Sequence, residues 1–115
     1  MYGGKVVIYD MIANDMTIKQ AELSQLITSK TKAIMPVHLY GQSCDMSAIM
    51  ELAKKYNLQV IEDCAQAHGT KWQDQMCGTF GQVGCFSFYP TKGLGAFGDG
   101  GAIITNDEKI ADFVR

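Results

Sequence analysis

The sequence predicts an α/β fold, in which a mostly parallel sheet is covered by helices. Short β-branched and apolar runs alternate with stretches of helical apolar spacing, an order typical of parallel sheets. Composition agrees, because 47% of the 115 residues are hydrophobic and only two are proline. Such a chain forms a core rather than staying disordered, and its length suits one domain or a piece of a larger one.

The N-terminal part predicts one strand and one helix. Residues 5–9 form a β-branched and aromatic run closed by Asp10, which is typical of a strand. Thr17 followed three residues later by Gln20 is the pattern of a capping box that opens a helix. Its apolar positions are Leu23, Leu26 and Ile27.

Two strands with a helix between them are predicted next. Residues 32–37 are typical of a buried strand, whose end is set by Pro36. Asp45 is suited to cap the helix, and residues 58–62 form the following strand, which ends at Asp63. The apolar positions of the helix follow helical spacing and are Met46, Ile49, Met50, Ala53 and Tyr56.

The C-terminal half predicts a hairpin, two strands and a helix. A polar turn at 73–75 indicates the hairpin. Residues 83–89 are strand-like and lead into a glycine-rich stretch, and residues 102–105 form another strand. A helix is predicted to begin at residue 107 and to reach residue 115 without a C-terminal cap. We therefore expect this chain to be a fragment of a larger α/β domain. Its apolar side carries Ile110, Phe113 and Val114.

Charge and cysteine content exclude several classes of protein. Ten basic and twelve acidic residues give a net charge of −2, which indicates neither nucleic-acid nor membrane binding. Without a secretory segment or a long apolar run, we expect a cytoplasmic protein. The four cysteines have no Cys-x-x-Cys pair, so we expect buried or half-buried thiols rather than disulfides or a metal site. They are Cys44, Cys64, Cys77 and Cys85.

Three segments that follow predicted strands are candidates for a site. They are residues 38–42, residues 63–69 and the glycine-rich residues 86–101. Ligands of open α/β sheets bind beyond the carboxyl ends of the strands, and parallel strands would place all three segments on one rim. The sequence therefore predicts that an active site lies there.

Asp63 is the first candidate side chain. A carboxylate directly after an apolar strand is buried or half-buried and needs a cationic partner or several hydrogen-bond donors. The alternative is that Asp63 only accepts backbone hydrogen bonds in the following turn. Glu62 points to the other side of the strand, and we expect it to be solvated or paired.

Lys92 is the second candidate. Thr91 precedes it and Gly93 follows it, so it does not belong to a phosphate-binding P-loop, and the glycines do not form a dinucleotide fingerprint. A lysine in a tight, largely apolar loop is suited to Schiff-base chemistry. The alternative is an ordinary surface lysine.

Asp63 and Lys92 together suggest pyridoxal phosphate. Enzymes that use this cofactor need a lysine for the imine and an acid that keeps the pyridine nitrogen protonated. Ser87 could offer a hydroxyl to the phosphate, and Gln66 could reach a ring substituent.

Two long motifs resemble the DegT/StrS family of nucleotide-sugar aminotransferases. They are VIEDCAQAHG at residues 60–69 and FSFYPTKGLGAFGDGGA at residues 86–102. Residues 31–41 and the Asp45-Met46 pair also resemble that family, so the likeness covers nearly the whole chain. It implies an aspartate-aminotransferase-type fold (pyridoxal phosphate fold type I) and a homodimer.

The resemblance implies a role for each candidate residue. Asp63 would be the partner of the pyridine nitrogen and Lys92 the catalytic Schiff-base lysine. Gln66 would contact the ring region, and Ser87 the phosphate. His68 would support the loop after Asp63 rather than act as a base. No catalytic role is expected for His38 or Tyr40.

The implied reaction moves an amino group from an amino acid, usually glutamate, to a keto group of a nucleotide-linked sugar. That would place the protein in cell-surface polysaccharide biosynthesis. Sugar dehydratases of the family carry histidine in place of the lysine, so Lys92 favours aminotransfer. The motifs are also compatible with a cysteine desulfurase and with a regulatory or structural relative without turnover. Two residues depart from the family pattern: Gln82 stands where an acid is common, and Gly93 where a polar residue often follows the lysine.

The resemblance also implies that part of the site is missing. Relatives carry an N-terminal segment and a C-terminal domain that complete it. We therefore expect residues 1–115 to be part of the large, cofactor-binding domain. Alone, this part should bind pyridoxal phosphate weakly, if at all, and be inactive.

Overall fold

A computed structural model describes residues 4–8 and 20–115. Helices and strands alternate over residues 20–63, as the sequence predicts, and four further strands then precede the last helix. In chain order the elements are α1 (Gln20–Leu23), β1 (Ala33–Ile34), α2 (Met46–Tyr56), β2 (Gln59–Asp63), β3 (Lys71–Trp72), β4 (Gln75–Met76), β5 (Val83–Ser87), β6 (Gly101–Ile104) and α3 (Glu108–Val114).

The main sheet has four strands in the order β1-β2-β5-β6. The pairs β1–β2 and β2–β5 are parallel, and β5–β6 is antiparallel. The mostly parallel α/β sheet is therefore confirmed. An isolated bridge between Val37 and Asp63 continues the first pairing to the carboxyl end of β2. In the register of β2 and β5, Asp63 at the end of β2 pairs with Cys85, two residues before the end of β5.

Helix α2 covers one face of this sheet. The side chain of Asp45 accepts a hydrogen bond of 3.0 Å from the N–H of Ala48, so the predicted cap is present. The buried face of α2 packs against β1 and β2, and each large apolar side chain buried there contributes about 1.5–3 kcal/mol. The cluster contains Met46, Ile49, Ala53, Ile34, Leu58 and Val60. Of the predicted apolar positions, Met50 is half-buried and Tyr56 is exposed.

Gln82 joins β2 to the start of β5 through its side chain as well as its backbone. Its Oε1 accepts from the N–H of Val60 at 2.7 Å, and its own N–H donates to the carbonyl of Val60 at 2.9 Å. The amide therefore takes the place of one backbone group in the sheet ladder. Gln82 thus keeps an acceptor for this bond at a position where the resemblance implies that an acid is more common.

The hairpin predicted around residues 73–75 is confirmed as the antiparallel pair β3–β4. Gln73 opens the turn with a positive φ of 53°. The indole N–H of Trp72 donates to Ser47 Oγ at 2.9 Å and so ties the hairpin to α2. The hairpin precedes the 78–81 turn, which contributes to the site described below.

In the described residues, the predicted N-terminal strand is absent, and the predicted helix is present only at Gln20–Leu23. Residues 4–8 form no strand, and Ile8 is 91% exposed, because a strand needs a neighbour and none of the described strands pairs with this segment. Helix α1 ends at Leu23, where i→i+3 bonds such as Leu26 N–H to Leu23 O tighten the chain into turns. Tyr9 and the predicted cap at Thr17 lie outside the described residues.

Helix α3 begins where it was predicted. The Asp107 side chain accepts from the N–H groups of Lys109 and Ile110 at 2.8 and 3.4 Å. The apolar side of α3 is not buried, and Phe113 is 85% exposed. Among the described residues, no helix has the length and apolar character needed to cross a bilayer.

Candidate active site

The structure brings the three strand-end segments together on one rim of the sheet. Gly41 donates its N–H to the carbonyl of Gln66 at 2.9 Å, and the Thr70 hydroxyl donates to the carbonyl of Gly41 at 3.1 Å. The Tyr40 N–H is 3.4 Å from Gln66 Oε1. The segments that follow β1 and β2 are thus joined by hydrogen bonds, and the loop that carries Lys92 faces them across a pocket.

This rim pocket has a volume of about 420 Å³ and is open to solvent. Lys92 and Gln66, two predicted site residues, line it from opposite segments. Asp63 and Ser87 lie outside its lining, although Ala65, two residues after Asp63, is part of the wall. The lining residues are Tyr40, Ala65, Gln66, His68, Thr91, Lys92 and Gly93.

Lys92 lies in a hairpin loop between the antiparallel strands β5 and β6. The N–H of Phe88 donates to the carbonyl of Gly100 at 2.7 Å and closes the base of the loop. A β-turn then forms as the Lys92 N–H donates to the carbonyl of Tyr89 at 2.8 Å, with Pro90 at the second position that favours proline. The Lys92 side chain is half-buried and makes no ion pair in the described part of the chain.

Glycines serve this loop in two different ways. A Cβ at Gly95 would lie 2.6 Å from the carbonyl oxygen of Pro90, and one at Gly101 would lie 2.7 Å from that of Phe86. Only glycine permits such close backbone approach. Gly93, in contrast, has no neighbour within 4 Å of its Cβ position, so a polar side chain there would meet open space.

Asp63 ends β2 with its backbone fixed on both sides. Its N–H donates to the carbonyl of Pro36 at 2.9 Å, and its carbonyl accepts from the N–H of His38 at 3.0 Å. Oδ1 accepts from the N–H of Ala65 at 3.0 Å, which is the turn interaction that the sequence also allowed. Oδ2 accepts no hydrogen bond from a described residue. The half-buried carboxylate therefore keeps one oxygen for a further donor.

Ser87 ends β5 opposite Gly101 of β6. Its Oγ accepts from the N–H of Tyr89 at 3.3 Å. Because the hydroxyl is the acceptor in this contact, its proton stays available to an anionic oxygen. Ser87 lies at the base of the loop that carries Lys92.

Glu62 and His38 form a buried pair beneath the rim, so Glu62 is paired and not solvated. Neither residue is exposed. His38 Nε2 lies 3.1 Å from Glu62 Oε2, which also accepts from the N–H of Gly78 at 2.6 Å. Oε1 accepts from the N–H groups of Phe80 and Gly81, both at 2.8 Å. Four donors thus saturate the carboxylate.

The hydrogen bonds fix the tautomer of His38. Its Nδ1 accepts from the N–H of Cys44 at 3.1 Å, so Nδ1 carries a lone pair and the proton is on Nε2. His38 is therefore neutral and donates to an ionised Glu62. Burial alone would raise the pKa of Glu62, but the bonds from His38 and from the backbone of Gly81, Gly78 and Phe80 outweigh it and lower the pKa.

His68 lies between the rim pocket and β5. Its ring is 5.8 Å from that of Phe86 and 5.8 Å from that of Phe88, measured between centroids. Nε2 is buried and has no hydrogen-bond partner among the described residues. The contacts fit the expected support of the loop after Asp63.

The four cysteines form no disulfide; three are buried and Cys85 is half-buried, as the sequence predicts. Burial raises the pKa of the Cys64 thiol to about 12, helped by the nearby Glu62 charge. His38, Glu62 and Cys64 offer donor atoms within 4.8 Å of one another. These atoms do not make a good metal site, because His38 Nε2 carries the proton that it donates to Glu62 and the Cys64 thiol resists ionisation.

Tyr40 reaches the pocket from a strained backbone. Tyr40 and Gly41 have φ values of 55° and 76°, and the Gln42 N–H closes their turn on the Leu39 carbonyl at 2.9 Å. A left-handed conformation costs a residue other than glycine about 1–2 kcal/mol. The sequence located Tyr40 on the rim but gave no sign of this conformation.

The sheet, the rim pocket and the lysine-bearing hairpin loop define an α/β fold with a candidate active site at the carboxyl ends of its strands. The model of the DegT/DnrJ/EryC1/StrS aminotransferase family matches residues 1–115, and the chain belongs to this family.

Two curated relatives show the range of names in the family. A dTDP-3-amino-3,4,6-trideoxy-alpha-D-glucose transaminase of Micromonospora megalomicea subsp. nigra is 47% identical over 113 residues, which are 98% of this chain and 30% of the relative. A pleiotropic regulatory protein of Geobacillus stearothermophilus is 50% identical over 113 residues, with the same coverage of 98% and 30%. The chain spans about 30% of the length of these relatives.

A solved structure agrees with the fold. S. venezuelae DesV, in complex with a ketimine intermediate, superposes with a TM-score of 0.90 at 43% identity. The match covers 95% of this chain and 29% of DesV. The fold class predicted from the sequence is therefore confirmed.

Proposed function

We propose that the protein is a pyridoxal phosphate-dependent aminotransferase that acts on a nucleotide-linked keto sugar. The observation that carries the proposal is the rim pocket, in which Lys92 faces the segment that Asp63 begins. Relatives named as sugar transaminases support the substrate class, and glutamate is the proposed amino donor.

The residues present fit this cofactor. Pyridoxal phosphate requires an amine, an acid for its ring nitrogen and donors for its phosphate. Lys92 offers the amine in the pocket, and Asp63 keeps Oδ2 without a donor from the described residues. Ser87 has a hydroxyl proton to donate. These three residues thus supply an amine, an acceptor and a hydroxyl donor, which are the groups that this cofactor needs.

When bound, the cofactor supplies an electron-withdrawing ring that stabilises the carbanion formed as the α-proton of the amino donor leaves. Lys92 Nζ would anchor the cofactor and, once displaced by the donor's amine, hold and move that proton. Lys92 is half-buried and has no paired carboxylate among the described residues, which leaves Nζ free for this role.

Asp63 and Gln66 would hold the ring. The hydrogen bond from the Ala65 N–H to Oδ1 keeps the Asp63 carboxylate oriented. Oδ2 could then accept a hydrogen bond from the protonated ring nitrogen. Gln66 lines the pocket, and its Oε1 lies near the N–H of Tyr40. The side-chain amide N–H₂ is then available to a ring oxygen.

The remaining parts of the proposal concern the whole protein. Residues 1–115 would form part of a large, cofactor-binding domain. In the longer relatives, residues outside the matched region would complete the site. Two copies would associate as a homodimer. Nucleotide-linked sugars are charged and do not cross bilayers, so the protein would work in the cytoplasm, in the synthesis of cell-surface polysaccharide.

A second candidate is a regulatory relative that keeps the site without turnover. The 50% identity to a pleiotropic regulatory protein favours this candidate. Such a protein could bind the cofactor through Lys92 and yet transfer no amino group. Only an assay of transfer distinguishes the two.

The experiment uses the intact protein with glutamate, pyridoxal phosphate and a panel of nucleotide-linked keto sugars. Lys92→Ala and Lys92→Arg are each expected to lower transfer by about 10³-fold or more, because neither supplies an amine that can anchor the cofactor. Lys55→Ala is the control, because Lys55 is exposed and contacts Tyr56 on α2. Product is measured by mass spectrometry, and bound cofactor by its visible absorbance.

Three outcomes are informative. Product formed by the wild type and lost in both Lys92 variants supports the aminotransferase. Bound cofactor without product, on every sugar tested, supports the regulatory relative. Transfer that survives in Lys92→Arg would overturn the role of Lys92.

A further inference from the structure

We propose that the buried His38–Glu62 pair is a positioning clamp that holds Asp63 in place on the rim. The clamp consists of His38, Glu62 and the three backbone N–H groups that Glu62 accepts, at Gly78, Phe80 and Gly81. Its consequence for the cofactor rests on the proposed function, in which Asp63 holds the ring nitrogen. Neither residue of the pair touches the pocket, so both would act through Asp63.

The clamp is connected to Asp63 through the backbone at two points. Glu62 directly precedes Asp63, and side chains of successive strand residues point to opposite faces. Glu62 is accordingly buried below the sheet while Asp63 is half-buried on the other side. His38 also donates its N–H to the Asp63 carbonyl at 3.0 Å. Movement of either clamp residue is thus passed to Asp63 through one residue of backbone.

The clamp also joins three separate parts of the chain. The ring of His38 accepts from Cys44 at the start of α2, while Glu62 belongs to β2. The 78–81 turn leads into β5, the strand that carries Ser87 at its far end. One carboxylate therefore sets the relative positions of the segments that bear the predicted cofactor ligands.

The clamp depends on acceptor chemistry and not on shape alone. All four hydrogen bonds of Glu62 are accepted by its two oxygens. An isosteric glutamine would set an N–H₂ against at least two of these donors. His38 could not relieve the conflict by changing tautomer, because its Nδ1 must accept from Cys44.

The test compares Glu62→Gln with Val60→Ala in the intact protein. Val60 is also fully buried in β2, and its truncation leaves a cavity without removing a clamp bond. His38→Gln is the milder variant, needed if Glu62→Gln does not fold. The thermal midpoints of all three are measured first, and the temperature is adjusted so that each variant is compared at equal stability.

Two readouts are then taken. Hydrogen exchange of the cofactor-free protein is followed at residues 63–68, where Ala65 N–H bonds to Asp63. Pyridoxal phosphate affinity is measured by visible absorbance. Faster exchange and an affinity loss of about tenfold are expected for Glu62→Gln and, to a smaller degree, for His38→Gln. Val60→Ala should match the wild type in both.

Each outcome decides the matter. If Val60→Ala changes both readouts as much as the clamp variants do, the pair is only structural and the proposal fails. The proposal also fails if the clamp variants leave exchange at 63–68 unchanged. If exchange changes as expected but the wild type itself binds no cofactor, the clamp stands and the proposed function fails.

Discussion

The two halves of the candidate site are built in opposite ways. The Asp63 half lies on a clamp with no exposed side chain, in which every polar atom of Glu62 and His38 is bonded. The Lys92 half is a hairpin loop whose residues are mostly exposed, closed at its base by the Phe88–Gly100 pair. One half is buried and fully hydrogen-bonded, while the other is mostly open to solvent. The contrast suits the proposed function, in which Asp63 would hold the cofactor ring and Lys92 would move a proton.

A glycine-to-alanine substitution should change stability far more in the clamp half than in the loop half, and this is the largest effect that we expect. A Cβ at Gly84 would lie 2.4 Å from the carbonyl oxygen of Gly78, whose N–H belongs to the clamp. Gly84→Ala is expected to destabilise the protein by about 3 kcal/mol through this overlap. Gly93→Ala, in open space in the loop, should change stability by no more than about 0.5 kcal/mol. Urea unfolding measures both, and equal losses would contradict the contrast.

The second largest effect that we expect is a loss of folding stability at acid pH, caused by protonation of Glu62 in the clamp half. The pKa of Glu62 is lowered from its ordinary 4.5. A carboxyl group whose pKa falls on folding stabilises the fold above its unfolded pKa, and that stabilisation is lost as pH falls through the folded pKa. Protonation should cost on the order of 2 kcal/mol, because a charged acceptor of four bonds becomes neutral.

The thermal midpoint measured from pH 7 downwards checks this prediction. The decline should begin below about pH 4.5, the ordinary value, and continue toward more acid pH. Glu62→Gln should show a shallower decline over the same range, from a lower starting midpoint. Parallel curves for wild type and variant would mean that other carboxyl groups cause the loss.

Cofactor binding should produce the smallest effect, and this effect should be larger in the loop half than in the clamp half. If the clamp half is already ordered, added pyridoxal phosphate should slow hydrogen exchange at residues 89–99 more than at residues 63–68. Lys92→Ala provides the control, because the loop should then gain no protection. Greater protection at 63–68 than in the loop would reverse the contrast between the two halves.

The rim was predictable because parallel strands place their carboxyl ends together, and the sequence marks each strand end with polar residues. The Asp45 cap and the 73–75 turn were predictable because both are local patterns. The absence of a strand at residues 4–8 was not predictable, because strand formation depends on a neighbouring strand that local sequence does not reveal. The β-branched run at residues 5–9 indicates only a local propensity for extended backbone.

Burial of Glu62 did have a signal in the sequence. Residues two apart in a strand share a face, and Val60 is an obvious core residue, so Glu62 had to lie on the same buried face. Its partner could not be found that way, because His38 is 24 residues earlier in the chain. The three backbone donors are equally invisible, since they depend on how the 78–81 turn folds back.

Because Gln82 is neutral, it adds no second charge near the buried carboxylate of Glu62. Its neutral amide bonds to Val60, while Gly81, next to it, donates to Glu62. An acid at position 82 would place a second negative charge close to a carboxylate that is already buried, and like charges raise each other's pKa. With glutamine, one negative charge can stay ionised alone beneath the rim. Replacement of Gln82 by an acid is therefore expected to raise the pKa of Glu62 and so to oppose the lowering that its hydrogen bonds produce.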